Sequence, residues 1–336
     1  MKSFSNFGRY ALSVSVACAF LSGCGGSQSG SQFQGGALPQ SVRNVPMGAH
    51  RDGRTSWMSP KAKDQVLVYV SNGSDNSVSV YGFYDHKLRG MLYGIDTPYG
   101  LCSDGQGNVW IVAYGDYSVV EYAHAGTKRL KTLVADDTDL YDCSVDPTTG
   151  DVAVTNWGVD NWFKGNVLVF HRAEGEPTSY AGDGVWFYYG LTYDDSGNLY
   201  ADGLDSYRNG NLALGMMPKH GDHLQRVSLE PQIDPPLLGG IRWDGHNVAI
   251  GNWKSVYGYS VSGHYARLKS ETPLTDKWPV GLFWITRFGK HQIVAPDQDG
   301  NPSAVQTWDY PRGRLPTATI ARGLSKPFGV TVSVKP

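Results

Sequence analysis

Tyr114, Asp116 and Tyr117 stand within four consecutive residues and put a carboxylate between two phenol rings. Comparable groupings return at Asn156, Trp157, Asp160 and Trp162, at Asp205 and Tyr207, and at Asn252 and Trp253. Such sets suit a sugar, whose C–H face lies on an aromatic ring while amides and carboxylates bond its hydroxyls at the edge. They suit a cation equally well. The plainer alternative is that the rings only pack the loops that carry them. Metal chemistry has fewer candidates. Asp297 and Asp299 share the opening spacing of a calcium loop, but the distal bidentate carboxylate is missing. His220 and His223 form one compact pair with no further ligand in view. Asp142 is the remaining metal candidate. No nucleophile elbow, zinc-protease helix or phosphate loop occurs in the sequence. Calcium or another divalent cation is therefore the one cofactor these groups would take, and none is demanded.

Strands must position these groups. From residue 65 onward apolar residues alternate, and no segment carries a helical stripe. One strand pattern, Gly-Leu-x-x-Asp, recurs at 100–104, 142–146, 190–194, 240–244, 281–285 and 329–333. Its second position is apolar or Cys throughout: Leu101, Cys143, Leu191, Ile241, Leu282 and Val330. Its fourth is mostly larger: Ser103, Val145, Tyr193, Trp243, Trp284 and Val332. A strand packed on both faces needs this. Asp104, Asp146, Asp195 and Asp244 then open turns of the type Asp-x-x-Gly-Asn, where a carboxylate accepts backbone N–H groups. These aspartates read as architectural.

A period of 41 to 50 residues matches a four-stranded propeller blade. Residues 66–92 supply three outer strands without an inner one, and 328–334 an inner strand with nothing after it. Joined, they complete an all-β, six-bladed β-propeller closed by strands from both termini, over residues 65–336. The chain resembles six-bladed propellers of the NHL-repeat and gluconolactonase-like type. In the gluconolactonase-like family a Glu on an early inner strand holds a divalent metal. Here Glu121, Glu174, Glu176, Glu230 and Glu271 all lie elsewhere, and Asp142 is the one acid at the head of an inner strand. Cys102 and Cys143 fall on inner strands of adjacent blades, one register step apart. They form either a disulfide or two buried thiols.

In such a ring, loops from second to third strands and from each outer strand to the next inner strand share one face, the top. Acids gather there, including Asp75, Asp96, Asp116, Asp139, Asp160 and Asp205, together with the aromatic groups above. The top is expected to be a negative funnel. Most histidines fall on the opposite face.

The N-terminus has its own signature. Lys2 and Arg9 precede an apolar stretch from residue 10 to 21, too short for a comfortable membrane span. It ends in Leu21-Ser22-Gly23-Cys24, which resembles the lipobox of bacterial lipoprotein signal peptides. That resemblance implies a signal peptide over 1–23 and a diacylated Cys24, enough for stable membrane attachment. A Gly/Ser/Gln-rich linker follows over 24–64, where Trp57 and Met58 are the residues able to dock on the domain. Gly25 carries no Asp-type retention signal, so the outer membrane is the expected location where the cell has one. A net charge of −2 gives no reason to expect nucleic acid. The leading functional expectation is a surface-tethered, non-enzymatic propeller binding a glycan, a cation-bearing ligand or a protein partner. The alternatives are a metal-dependent lactonase, hydrolase or lyase built around Asp142, and an adhesive module in which the tether dominates.

Overall fold

The computed structural model describes residues 53–335, apart from 136–137, 158–163, 207–209, 235, 237, 275–280 and 298–302. Cys24, Asp160, Trp162, Tyr207 and Asp299 lie outside the described residues.

The described chain is built from strands, with short 3-10 turns at Pro60–Asp64, Tyr114–Asp116 and His171–Ala173. They are β1 (Trp57–Met58), β2 (Leu67–Asn72), β3 (Ser77–Gly82) and β4 (Leu88–Tyr93). Next come β5 (Pro98–Ser103), β6 (Val109–Ala113), β7 (Ser118–Tyr122), β8 (Arg129–Val134), then β9 (Leu140–Val145), β10 (Val152–Asn156), β11 (Asn166–Phe170) and β12 (Thr178–Tyr180). A further set is β13 (Phe187–Tyr193), β14 (Leu199–Leu204), β15 (Leu212–Met217) and β16 (Gln225–Glu230). After it run β17 (Ile241–Trp243), β18 (Val248–Gly251), β19 (Ser255–Ser262) and β20 (Tyr265–Pro273). The chain ends with β21 (Trp284–Ile285), β22 (Gln292–Asp297), β23 (Ala304–Asp309), β24 (Ala318–Ile320) and β25 (Pro327–Ser333).

Each set is an antiparallel meander whose second strand is deeply buried and whose outer strand is the most exposed. Every residue of β6 and of β10 is buried, whereas β8 exposes most of its side chains. Sheets stacked face to face bury both faces of their second strands, which explains the unbroken apolar run 109–113. The inner strands touch in the order β25, β5, β9, β13, β17, β21, and β21 returns to β25. The arrangement is propeller-like and the ring is closed. β25, from the C-terminus, pairs with β2, from Leu67↔Ser333 to Asn72↔Pro327, so strands from both ends share one sheet.

Two features depart from the expectation of separate four-stranded sheets. First, the strands form five sheets, because β16 and β20 pair in parallel (Ser228↔Tyr265, Glu230↔Arg267) and fuse two meanders into eight strands. The nine-residue β20 reaches the neighbouring outer edge, and pairing there satisfies backbone groups that both edges would expose. Second, order begins before residue 65: β1 adds a fifth strand to the closing sheet through Trp57↔Met91 and Met58↔Gly90. Gly90 makes room for it, since a Cβ there would lie 2.5 Å from the Met58 sulfur. The linker assigned to 24–64 is therefore corrected at its C-terminal end.

The repeated glycine at the head of the inner strand has a packing reason. A Cβ on Gly100 would meet the Asp142 Cα at 2.6 Å, and one on Gly190 would meet the Gly240 Cα at 3.0 Å. Glycine lets neighbouring inner strands close around the axis. Just there the inner strands lose register with their second strands, at Pro98/Leu101, Val154/Asn156, Tyr188/Leu191 and Val70/Asn72. The freed N–H groups go to side chains on the second strands: Gly329 to Ser71 Oγ, Asp142 to Thr155 Oγ1 and Gly190 to Asp202 Oδ1. A bulge that displaces a ladder bond needs such a substitute acceptor.

Candidate functional site

The turn aspartates are structural. Asp104 accepts the N–H groups of Gln106 (2.9 Å) and Asn108 (2.8 Å), and Asp146 and Asp244 act alike in their own turns. In the fourth turn the acceptor is Asp194, bonded to Ser196 and Asn198, and not Asp195 as the spacing predicts. Asp195 is left to work between blades. It accepts the indole N–H of Trp243 (3.0 Å) and an Arg287 N–H (2.6 Å).

Near the top end of the axis the described aromatics form a plug. In four of the six repeats the residue before the inner-strand head is aromatic, Tyr99, Tyr141, Tyr189 and Phe328, and these rings converge with Trp157. Tyr141 stacks on Trp157 at 4.8 Å, and Tyr99 on Phe328 at 4.5 Å. Tyr114 packs on Tyr99 and donates to Asp139 (3.0 Å). Tyr114 and Trp157 thus pack on other rings at this end of the axis. The other described candidates are engaged within their own loops. Asn156 accepts from the Asp139 N–H and donates to Asn166, and Asn252 accepts the Ser255 N–H. Trp253 donates to the Leu238 carbonyl at 2.7 Å. Asp205 holds Asn211 and pairs with Arg226. Tyr117 closes its turn at φ 49, and burial beside Asp96 raises the Asp116 carboxyl above its ordinary range.

Asp142 meets a partner that motif reading overlooked. The guanidinium of Arg242 on β17 reaches past β13, where it touches the Leu191 carbonyl (3.3 Å). It forks onto both oxygens of Asp142 on β9, at 2.7 and 3.0 Å. The pair is almost fully buried, with side-chain exposures of 6% and 0%. A cation placed on Asp142 would meet that guanidinium, so the metal reading of Asp142 is corrected. Asp297, the other described metal candidate, is buried at the end of β22. Among the described residues no cluster of three or more His, Cys, Asp or Glu has metal-binding geometry.

Asp202 on β14 completes a buried charge group. One guanidinium cannot neutralise two carboxylates, and Arg242 is committed to Asp142. Burial pushes the Asp202 carboxyl up to about 7, with repulsion from Asp142 adding to it and the Gly190 N–H and Arg242 opposing it. A carboxyl whose pKa rises on folding adds stability that is complete below its unfolded value, 3.8, and is lost as pH climbs through about 7. Asp202→Asn, which keeps the Oδ1 acceptor for Gly190, should melt above wild type at pH 8.5, by no more than about 4 kcal/mol. The gap should narrow as pH falls from 7 and close only below about pH 4. Parallel melting curves from pH 5 to 9 would rule this out.

Cys102 and Cys143 are joined, with Cα atoms 5.6 Å apart, and covalently link adjacent inner strands. Hydroxyls make the equivalent link elsewhere. The Tyr193 N–H donates to Ser144 Oγ (3.1 Å), and the Trp243 N–H to Thr192 Oγ1 (3.0 Å).

Below the buried charges, on the face of the Asp turns, a funnel of about 760 Å³ opens. All six fourth-position residues of the repeat line it: Tyr193, Trp243 and Trp284 on consecutive inner strands, facing Val332, Ser103 and Val145. Arg242 lies at its inner end, its guanidinium 5.6 Å over the Trp284 ring. Sequence reasoning noted the size of the fourth position but assigned ligand chemistry to the other face. The missed signals were Arg242, a lone base inside an inner strand, and Asp202, a lone acid inside a buried second strand.

No protein-family model matches the chain, and no curated protein matches it by sequence. Solved structures do resemble it. A chain of a nidogen/laminin complex superposes with a TM-score of 0.63 at 14% identity, covering 80% of this chain and 98% of that one. The β-propeller domain of Cps50 (Swd1) from Myceliophteria thermophila gives 0.54 at 10% identity, covering 82% and 88%. At these identities the likeness establishes a β-propeller fold.

Proposed function

We propose that this chain is a non-enzymatic binding propeller, held at a bacterial cell surface by an acylated Cys24, and that its ligand enters the funnel on the Asp-turn face. On this reading the ring is six-bladed and of the NHL-repeat and gluconolactonase-like kind, supported by the sequence of inner-strand contacts. The observation that carries the functional reading is the contrast between the two ends of the axis. Stacked aromatics fill one end, whereas the other holds about 760 Å³ of open, aromatic-walled space, a size typical of ligand sites. The buried ion pair between them turns the strongest candidate metal ligand into a structural group, which weighs against the lactonase-like alternative. A disulfide between inner strands suits an exported protein.

Two measurements test this reading. A photo-crosslinking amino acid at Gln106, on the funnel rim, should form adducts in intact cells that vanish when Val145→Trp fills the funnel. The same probe at Lys254 on the top face should form none. Adducts confined to Lys254 would overturn the assignment of the face. Separately, Cys24→Ala should move the protein from the membrane to the soluble fraction, and persistent membrane fractionation would refute the lipid anchor.

A further inference from the structure

We infer that the funnel binds a neutral oligosaccharide; this rests on the binding reading above and names its ligand class. The first argument is shape. Tyr193, Trp243 and Trp284 line the funnel from three consecutive blades as an aromatic crescent, and the opposite half is kept open by Ser103, Val145 and Val332. A flat C–H face fits the crescent, and the open half leaves room for the rest of the ring. The volume, about 760 Å³, suits several linked sugar units better than a single one.

Preorganisation is the second argument. The Trp243 indole is fixed at its edge by the Asp195 carboxylate, itself held by Arg287 at 2.6 Å. A ring locked before binding loses little entropy when a ligand stacks on it. The rim adds the exposed amide of Gln106, while Asn108, Thr148 and Thr149 donate to the turn aspartates and offer their oxygen lone pairs. Amides and hydroxyls both donate and accept, as sugar hydroxyls require.

Charge supplies the third. The funnel holds several ionic groups, and its cations are already matched. Arg242 pairs with Asp142, Arg287 with Asp195 and Lys335 with Asp64, and Lys131 lies 3.9 Å from Glu174. Asp104 and Asp146 hold their turns, and burial raises the Glu121 carboxyl. An anionic ligand would have to break one of these pairs, whereas a neutral polyol uses the remaining lone pairs and N–H groups.

The test is a titration of the detergent-solubilised full chain, by tryptophan fluorescence and calorimetry, with maltohexaose, cellohexaose, mannohexaose, chitohexaose and an oligogalacturonate. At least one neutral hexaose should bind saturably. Trp243→Ala should weaken it at least tenfold, Val145→Trp should abolish it, and Trp253→Ala on the top face should leave it unchanged. Protection of Trp243 from N-bromosuccinimide oxidation by saturating sugar, mapped by mass spectrometry on wild type, decides the matter should either funnel variant unfold. No saturation with any neutral member, binding that survives both funnel variants, or tighter binding of the oligogalacturonate would each overturn the inference. Adducts at Gln106 that depend on an open funnel, with no sugar bound, would keep the binding reading and discard the sugar.

Discussion

Replacing Arg242 with Met is expected to lower folding stability by about 3–5 kcal/mol, read as a large drop in the urea midpoint at pH 7. The reason is the position of the pair. Asp142 is fully buried, and both its oxygens face this guanidinium across the channel. Removing the cation leaves a carboxylate with no exposure to water and no counter-charge. Losing one partner of a buried pair costs far more than the pair contributes over an apolar substitute. Asp142→Asn with Arg242→Met should therefore recover at least half of the single-variant loss. The pair also links β9 to β17 past β13, so the single variant weakens contacts across three successive inner strands. A loss below about 1 kcal/mol would show that water reaches Asp142, and the account of a buried ion pair would fail.

Removing the disulfide by Cys102→Ala with Cys143→Ala is expected to cost about 4 kcal/mol, from the entropy that a 41-residue separation returns to the unfolded chain. Alanine avoids burying an unpaired hydroxyl between the blades. Wild type unfolded under reducing conditions should match the double variant, and both should fall short of oxidised wild type. Both cysteines are nearly inaccessible, at 2% and 1% exposure, so thiol reagents should label neither until the protein unfolds in reductant. Equal stability of the oxidised and reduced wild type would remove the staple from the account.

Much of the fold was legible because a propeller repeats. Gly100, Asp142, Gly190, Gly240, Gly281 and Gly329 mark the six inner-strand heads, and their spacing set the period of the blades. Their physical cause, close approach of neighbouring inner strands, is a tertiary fact that pointed the same way. The error at Asp195 has a local origin. Two aspartates stand side by side, and the strand's alternation, which spacing does not record, decides which one faces the turn. The short β1 was hard to read because two residues carry no period, and its place depends on the free edge of β4.

The site was far less legible. Loop composition favoured the top face because acids and aromatics are dense there, yet density does not tell packing from exposure. Tyr114 and Trp157 became packing because four residues preceding the inner-strand heads bring their rings to the same place. Asp142 became structural because Arg242, 100 residues away, crosses the channel to meet it. The amino-acid sequence alone determined the strands, their meander order and the joining of the two ends, since these follow from alternation, turn chemistry and a period. Only the tertiary structure decided which Tyr114-like rings seal the axis, which acid is neutralised and which mouth stays open. Those outcomes depend on side chains from different blades meeting at one point, and nothing local in the chain encodes that meeting.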